Sequence, residues 1–317
     1  MTGGVPSPAD HPVPGARAAV LGHPIEHSRS PLLHSTAYRE LGLEIGYTAI
    51  DTLPEQAAAF ARRLRTEPGW VGVSVTMPMK DALIPFIDAP SPRVRRLGAL
   101  NTVMVRRDEH GVTLLAENTD VDGIVRALDL QGAGAQETSG ARGAPVVAIL
   151  GNGNTAMAAL EACALMGAGR VELLVRNPAR AADALDLAAT LGLEATVHPY
   201  TEAAGRIFGY DAVISTLPAR AADSLLQALG LDGVAAENSG SNAVALKPGA
   251  VLLDVAYDPW PSALATAWES AGGRVVSGLS MLVHQGVEQV KLFSGIQDAD
   301  WERVTNVMCD AVGVPRP

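Results

Sequence analysis

The sequence predicts a two-domain α/β protein. Three observations predict it. Short apolar or β-branched runs alternate with helix-length runs from Arg17 to Thr76, and the same alternation returns from Pro145 to Val276. A glycine-rich loop, Gly151 to Ala156, joins an apolar run to an alanine-rich one. The chain has 317 residues, a length that suits two domains.

Composition narrows the partners. Hydrophobic residues make up 48% and charged residues 18%, as in a core-forming globular chain. Aromatics are only 4%, so helices are expected to lie close on sheets through alanine and glycine. The net charge of -10 argues against non-specific binding to nucleic acid or anionic membranes. It does not argue against a small anionic ligand, because screening leaves local groups to decide binding. Cys163 and Cys309 form no CxxC pair and read as small apolar residues in a reducing compartment. No apolar run reaches the roughly 20 residues needed to span a bilayer. Residues 1–16 carry Pro6, Pro8, Pro12 and Pro14 without an apolar stretch, and read as a disordered tail rather than a signal peptide. A cytoplasmic protein is expected.

The first domain opens with a strand at Arg17–Gly22. A loop rich in His and Ser follows, in which Ser30 before Pro31 reads as an N-cap with proline at the first helical position. That helix should stop at Gly42. Ser28 and Ser30 could aim hydroxyls at a carboxylate beside free helix N–H groups, or could simply turn and cap. A strand at Gly46–Asp51, a helix at Pro54–Arg65 and a strand at Trp70–Thr76 complete a β-α-β-α-β series. The last strand has Val71, Val73 and Val75 on one face and only Gly72 and Ser74 on the other. Pro78 ends its pairing. Thr76 and Lys80 therefore sit at the mouth of a strand-to-helix turn, where open α/β sheets bind ligands. Lys80 is a catalytic candidate there, against the plainer reading of a solvated lysine. Helices are expected over Met79–Ile87 and Ser91–Leu97. Asn101 enters the next strand, suited either to a vicinal diol or to an Asx turn. A polar hairpin at Arg106–Gly111 and a strand at Val112–Ala116 lead to Asp120, which could cap a helix over Val121–Leu130.

A Gly/Ala/Ser loop, Gln131–Pro145, separates this part from the strand Pro145–Leu150. That strand runs into G-x-G-x-x-A, the fingerprint of a Rossmann-type dinucleotide site. Gly151 permits the turn, Gly153 lets backbone approach a pyrophosphate, and Ala156 allows close helix–strand packing. The helix N-terminus, with Asn152, Asn154 and Thr155 around it, offers N–H groups to phosphate. The second strand, Arg170–Val175, ends in Arg176 and Arg180 rather than a carboxylate, which favours a 2′-phosphate and hence NADP(H). Further strands are expected at 195–198, 211–214, 251–255 and 274–276, with helices at 181–191 and 261–270. Ser215–Pro218, including Thr216, closes one of these strands where cofactor loops usually lie. Residues 233–249 read as a long inserted loop. Two helices end the chain, the first over Ser280–Phe293 with Leu282, Val283, Val287, Val290 and Phe293 on one face. His23, His27 and His34 lack accompanying carboxylates or cysteines, so no metal site is expected.

Taken together, seven motifs resemble the shikimate dehydrogenase family: Gly22-x-Pro24-Ile25-x-His27-Ser28-x-Ser30-Pro31, Val75-Thr76-x-Pro78-x-Lys80, Asn101-Thr102, Asn118-Thr119-Asp120, the Gly151 loop, Asp254-x-x-Tyr257-x-Pro259, and Gly278-Leu279-x-Met281-Leu282-x-His284-Gln285. The resemblance runs from about residue 17 to 295. It implies NADPH-dependent reduction of 3-dehydroshikimate to shikimate, in chorismate and aromatic amino-acid biosynthesis. It implies a substrate domain over 17–121, completed by helices from 280–317 so that Gln285 reaches the substrate, an NADP-binding domain over 122–279, and a cleft between them. Lys80 and Asp120 match the catalytic pair. Ser28 and Ser30 match the ligands of the substrate carboxylate. Thr76, Asn101, Asp120 and Gln285 match partners of the ring hydroxyls, with Tyr257 beside the substrate. Gly278 and Met281 match residues by the nicotinamide, and Arg176 and Arg180 the arginines for the 2′-phosphate.

The chain departs from the family pattern in places. Ser74 stands where many members have Asn, and Met79 where many have His. Val175 replaces a common Asn, Asn154-Thr155 stand where Gly-Ala is usual, and Glu117 before Asn118 is unusual. Three rivals stay open: an NAD-dependent quinate/shikimate dehydrogenase, a non-catalytic NADP-binding regulator on the same fold, and another two-domain NADP enzyme such as a methylene-tetrahydrofolate dehydrogenase. The Arg176 end argues against the first. Intact Lys80, Asp120 and both serines argue against the second, and the Ser28, Ser30 and Asn101 set against the third. A monomer or homodimer is equally compatible with the sequence.

Overall fold

The structure is a computed structural model that describes residues 15–128, 143–203, 206–226 and 246–317. The chain divides into two compact units, one ending at Thr119 and completed by Val283–Pro317, the other formed by Asp120–Leu282. The expected tail falls outside the described residues except for its end, where Ala16 already belongs to the first strand.

The first unit runs β1 (Ala16–Gly22), α1 (Ser30–Glu40), β2 (Ile45–Asp51), α2 (Ala57–Thr66), β3 (Trp70–Val75), β4 (Ala89–Pro90), α3 (Pro92–Leu97), β5 (Thr102–Asp108) and β6 (Gly111–Glu117). Its six strands are ordered β2-β1-β3-β5-β6-β4. β1 pairs in parallel with both β2 and β3, β5 is antiparallel to both its neighbours, and β4 is parallel to β6. The sheet is thus mainly parallel, with β5 alone reversed. β1 is buried along nearly its whole length, which explains its unbroken apolar run. The core between α2 and the sheet is Leu21, Phe60, Leu64, Trp70, Val73, Val75, Met79, Leu100, Val103 and Leu114.

Three local expectations need correction. No α-helix forms over Met79–Ile87; the chain makes successive turns there and ends in a 3₁₀ turn at Ile84–Phe86. Pro85 has no N–H and would clash with the carbonyl four residues back, so a helix through it is disfavoured. Ser30 is not the N-cap of α1 but its first residue; the Ser28 hydroxyl oxygen accepts the Ser30 N–H at 3.3 Å. The hairpin is tighter than the polar run suggests, since Asp108 pairs with Gly111 and only Glu109 and His110 form the turn. The two-residue strand β4 has no pattern of its own and exists because β6 offers it an edge.

The second unit runs α4 (Asp120–Leu128), β7 (Val146–Leu150), α5 (Asn154–Leu165), β8 (Arg170–Val175), α6 (Ala182–Thr190), β9 (Glu194–Pro199), β10 (Ala212–Ser215), β11 (Val251–Asp254), α7 (Ala263–Ser270) and β12 (Arg274–Ser277). Its sheet is ordered β12-β11-β10-β7-β8-β9 and every pairing is parallel. Counted from β7, that is the 6-5-4-1-2-3 order of a doubly wound dinucleotide fold. Most of the 131–145 loop and of the 233–249 loop lies outside the described residues. The end of the latter is anchored: Leu246 joins the core with Leu252, Leu264 and Trp268, and Lys247 pairs with Asp211 at 2.6 Å. Cys163 is fully buried, which pushes its thiol up to about 12, and both cysteines are free.

Two helices close the chain, α8 (Gly278–Ser294) and α9 (Trp301–Val312). α8 begins at Gly278 rather than at Ser280. From Val283 it belongs to the first unit, and α9 packs there against α1, with an Arg303–Glu40 ion pair. α8 lies against the small face of β3. A Cβ on Gly72 would strike the Phe293 ring and come 2.6 Å from the Val103 carbonyl oxygen. Gly72 is therefore what lets helix and strand approach. Gly72→Ala is expected to cost about 1–3 kcal/mol by overpacking. Urea midpoints of the two proteins measure it, and equal midpoints would mean that Phe293 moves aside freely. The buried face of α8 is also wider than the apolar stripe, for it includes Gln285 and Gln289.

Candidate active site

The polar residues of the first unit collect along one sheet edge. β1 and β3 are parallel neighbours, so the loops after Gly22 and after Val75 leave the sheet side by side. The Thr76 N–H donates to the Leu21 carbonyl at 2.8 Å and the His23 N–H to the Met77 carbonyl at 3.0 Å. Reversed β5 starts at this same edge, which brings Asn101 there. The Val75 N–H donates to the Asn101 carbonyl at 2.7 Å, and the Leu100 N–H to the Lys80 carbonyl at 2.9 Å. The Ser28–Ser30 loop, Thr76, Lys80 and Asn101 thus share one edge because of strand direction, not sequence proximity. Lys80 is 9% exposed and Ser30 5%, while Ser28 and Thr76 are half-buried.

Asn101 is the hub. Its Oδ1 accepts the Thr119 N–H at 2.8 Å and the Thr102 hydroxyl at 2.7 Å. Its Nδ2 donates to the Thr119 hydroxyl at 3.0 Å and to Gln285 Oε1 at 3.2 Å. The structure therefore joins Asn101 and Gln285, which lie 184 positions apart. Asn118 is fully buried, and its Nδ2 donates to the Ala99 carbonyl at 3.0 Å. The unusual Glu117 has a local task, since its Oε1 accepts from the Ser91 hydroxyl and from the Asn118 N–H. Asp120, next along the chain, is the buried first residue of α4 and falls in the second unit.

Several members of this polar cluster were not among the residues offered by the sequence as a site. The Tyr47 hydroxyl donates to Ser74 at 2.6 Å, and Ser74 donates to Gln289 Oε1 at 2.7 Å. Gln289 is four residues after Gln285 and four before Phe293, a polar residue in a buried helical row. That spacing was the available clue. His34 is fully buried, stacks on Tyr47 with ring centroids 4.0 Å apart, and has Nδ1 3.0 Å from the Ser30 carbonyl oxygen. Burial lowers its pKa to about 4, with the Ser30 contact opposing. The folded state therefore holds His34 neutral between about pH 4 and the ordinary value of 6.5, while the unfolded chain takes up a proton. Stability from this group is complete above 6.5 and is lost as pH falls toward 4, by about 3 kcal/mol in all. His34→Asn is expected to remove that part of the decline in urea midpoints between pH 7 and 4.5. An unchanged pH slope would refute the assignment.

The second unit carries the loop after β7. Gly151 has φ +105°, and a Cβ there would lie 2.7 Å from the Thr216 hydroxyl oxygen. That hydroxyl donates to the Leu150 carbonyl at 2.8 Å, so the ends of β7 and β10 are stitched together. Gly153 is the N-cap of α5, and the space where its Cβ would project is open. Asn154 and Thr155 form the first turn, and Ala156 is fully buried beneath it. Arg176 and Arg180 are exposed just past β8, and Asn152 Nδ2 donates to the Arg180 carbonyl at 2.8 Å. An open backbone cradle at a helix N-terminus, with two exposed arginines just past the next strand, fits a dinucleotide with an extra phosphate. Beyond β11, Asp254 accepts the Ser262 hydroxyl at 2.6 Å, and Ser262 in turn caps α7. This clips the loop that carries half-buried Tyr257. Burial, opposed by the Ser262 hydrogen bond, holds the Asp254 carboxyl above the usual range. Gly278 and Met281 lie buried in the first turn of α8.

A doubly wound unit with a glycine-rich turn after its first strand, joined to a second α/β unit with a polar sheet edge, defines a two-unit protein of the Rossmann dinucleotide-binding class. Residues 20–103 match the shikimate dehydrogenase substrate-binding domain, and residues 278–309 match the shikimate 5′-dehydrogenase C-terminal domain. The shikimate dehydrogenase (NADP(+)) of Moorella thermoacetica is 33% identical over 93% of this chain and 93% of its own. The crystal structure of Mycobacterium tuberculosis shikimate dehydrogenase superposes with a TM-score of 0.74 at 36% identity, covering 93% of this chain and 99% of that one. The Thermus thermophilus shikimate 5-dehydrogenase, crystallised with NADP(H) and shikimate, gives 0.67 at 28% identity, over 93% and 99% of the chains. The chain belongs to the shikimate dehydrogenase family.

Proposed function

We propose that this protein catalyses the reversible NADPH-dependent reduction of 3-dehydroshikimate to shikimate, a step toward chorismate and the aromatic amino acids, in the cytoplasm. The observation that carries the reading is the single sheet edge that gathers the Ser28–Ser30 loop, Thr76, Lys80 and Asn101, with Gln285 bonded to Asn101. Related proteins named for this activity support it.

Ser28 and Ser30 bind the substrate carboxylate. Thr76, Asn101, Asp120 and Gln285 hold the ring hydroxyls, and Tyr257 lies beside the ring. NADPH, when bound, supplies the hydride. The backbone of Gly151–Thr155 with Thr216 holds the pyrophosphate side, Arg176 and Arg180 the 2′-phosphate, and Gly278 and Met281 the nicotinamide end. As the substrate ketone becomes an alkoxide, an ammonium at its oxygen stabilises the growing charge and provides the proton. Lys80 has this task, with Asp120 as the carboxylate that keeps it charged and placed. The two act as a coupled pair.

One assay tests the reading: reduction of NADP+ and of NAD+ with shikimate and with quinate. The expected result is highest kcat/KM for shikimate with NADP+. Preference for quinate with NAD+ would favour the quinate/shikimate dehydrogenase, and no turnover of either would favour a non-catalytic NADP-binding protein.

A further inference from the structure

We infer that Gln289 is a positioning residue for substrate recognition, acting through Thr102 and Asn101 and together with the Thr119 N–H to fix which end of the Gln285 carboxamide faces the substrate. The inference rests on the reading of Asn101 and Gln285 as substrate ligands.

The geometry begins with a match of repeats. Two residues of strand advance about 6.6 Å and four residues of helix about 6 Å, so α8 and β3 can stay in step over several contacts. Phe293 sits over Gly72, Gln289 over Ser74, and Gln285 reaches Asn101. The small face of β3 thereby admits a buried carboxamide, 1% exposed, into the middle of the polar cluster.

Three hydrogen bonds fix the direction of that carboxamide. Its Oε1 accepts from Ser74, which itself accepts from Tyr47. The Gln289 Nε2 must then be the donor, and it donates to the Asn101 carbonyl and to the Thr102 hydroxyl oxygen, each at 3.0 Å. Because Thr102 receives that proton, its own proton goes to Asn101 Oδ1. A backbone N–H, that of Thr119, also points at Oδ1, and a backbone N–H can only donate. Asn101 Nδ2 is therefore turned to Gln285 Oε1, which the Thr119 hydroxyl also approaches at 3.4 Å. With Oε1 engaged by donors, Gln285 directs its NH₂ the opposite way. The chain of bonds from Tyr47 makes Gln285 a hydrogen-bond donor to a substrate oxygen rather than an acceptor.

The test uses the full-length enzyme with Gln289→Met, Thr102→Val, the double variant, and Asn101→Ala. Gln289→Met removes the donor at similar volume. Thr102→Val removes only the relaying hydroxyl, and it carries the test should Gln289→Met not fold. The expected result is a shikimate KM raised about tenfold by either single change, the scale of one mis-aimed hydrogen bond. The KM for NADP+ should stay at the wild-type value, and the double variant should be no worse than the worse single one. Unchanged shikimate KM in folded Thr102→Val overturns the inference. So do additive effects in the double variant, or equal rises in both KM values, which mark a merely structural role. If Asn101→Ala leaves the shikimate KM unchanged, the substrate-site reading fails and the relay with it. If Asn101→Ala raises it and the other variants do not, the relay alone fails.

Discussion

Lys80→Ala is expected to lower kcat by about 10²–10⁴, the span of a lost acid–base group, with a much smaller change in KM. The split follows from the task assigned to the ammonium. Its partner, the alkoxide, exists only as the reaction proceeds, so the interaction is stronger in the transition state than with bound ketone. Removing it should leave binding to the serines and the hydroxyl partners largely intact. The local fold should survive as well. Lys80 is tied to Leu100 through its backbone carbonyl, and its neighbour Met79 supplies the core contacts. Steady-state kinetics with shikimate and NADP+ measure the effect, alongside a urea midpoint to show that the variant is folded. Near-wild-type turnover would remove Lys80 from the mechanism.

Changing Arg176 and Arg180 together to Ala is expected to raise the KM for NADP+ by about 10²–10³. Each guanidinium–phosphate contact is charge-assisted and worth roughly 1.5–3 kcal/mol, discounted here because both side chains are exposed. The KM for NAD+, which has no 2′-phosphate, should barely move. The ratio of the KM for NAD+ to the KM for NADP+ is therefore the readout, and it should fall toward unity. The single change Arg176→Ala should act in the same direction with a smaller effect. A variant that loses affinity for both dinucleotides equally would show that the loop merely collapsed. A wild-type enzyme that prefers NAD+ would remove the phosphate from the argument altogether.

Motifs that depend on local backbone geometry were legible in the sequence. The Gly151 turn, the proline that ends β3 and the small face at Gly72 and Ser74 each follow from what neighbouring residues can do sterically. The alternation of strands and helices was equally plain, and the second unit has the doubly wound sheet that a Rossmann-type glycine loop implies. The failures were local too, and have causes. Helical-looking residues 79–87 contain Pro85, which outweighs their propensity. Ser30 looked like a cap, but Ser28, two residues earlier, takes the bond. β4 is a strand only because β6 is beside it.

What the sequence by itself determined was the fold class, the glycine turn after β7, the two arginines past β8 on which the proposed NADP(H) preference rests, and the residues offered for chemistry. What only the tertiary structure decided was which of these residues meet. Strand direction places the ends of β1 and β3 and the start of β5 at one edge, and α8 crosses back over β3 to bring Gln285 to Asn101. Tyr47, Ser74, Thr102 and Gln289 are ordinary polar residues along the chain. They become a directed hydrogen-bond relay only in the fold, because a buried carboxamide must satisfy its donors and acceptor within reach, and the register of helix on strand sets what lies within reach.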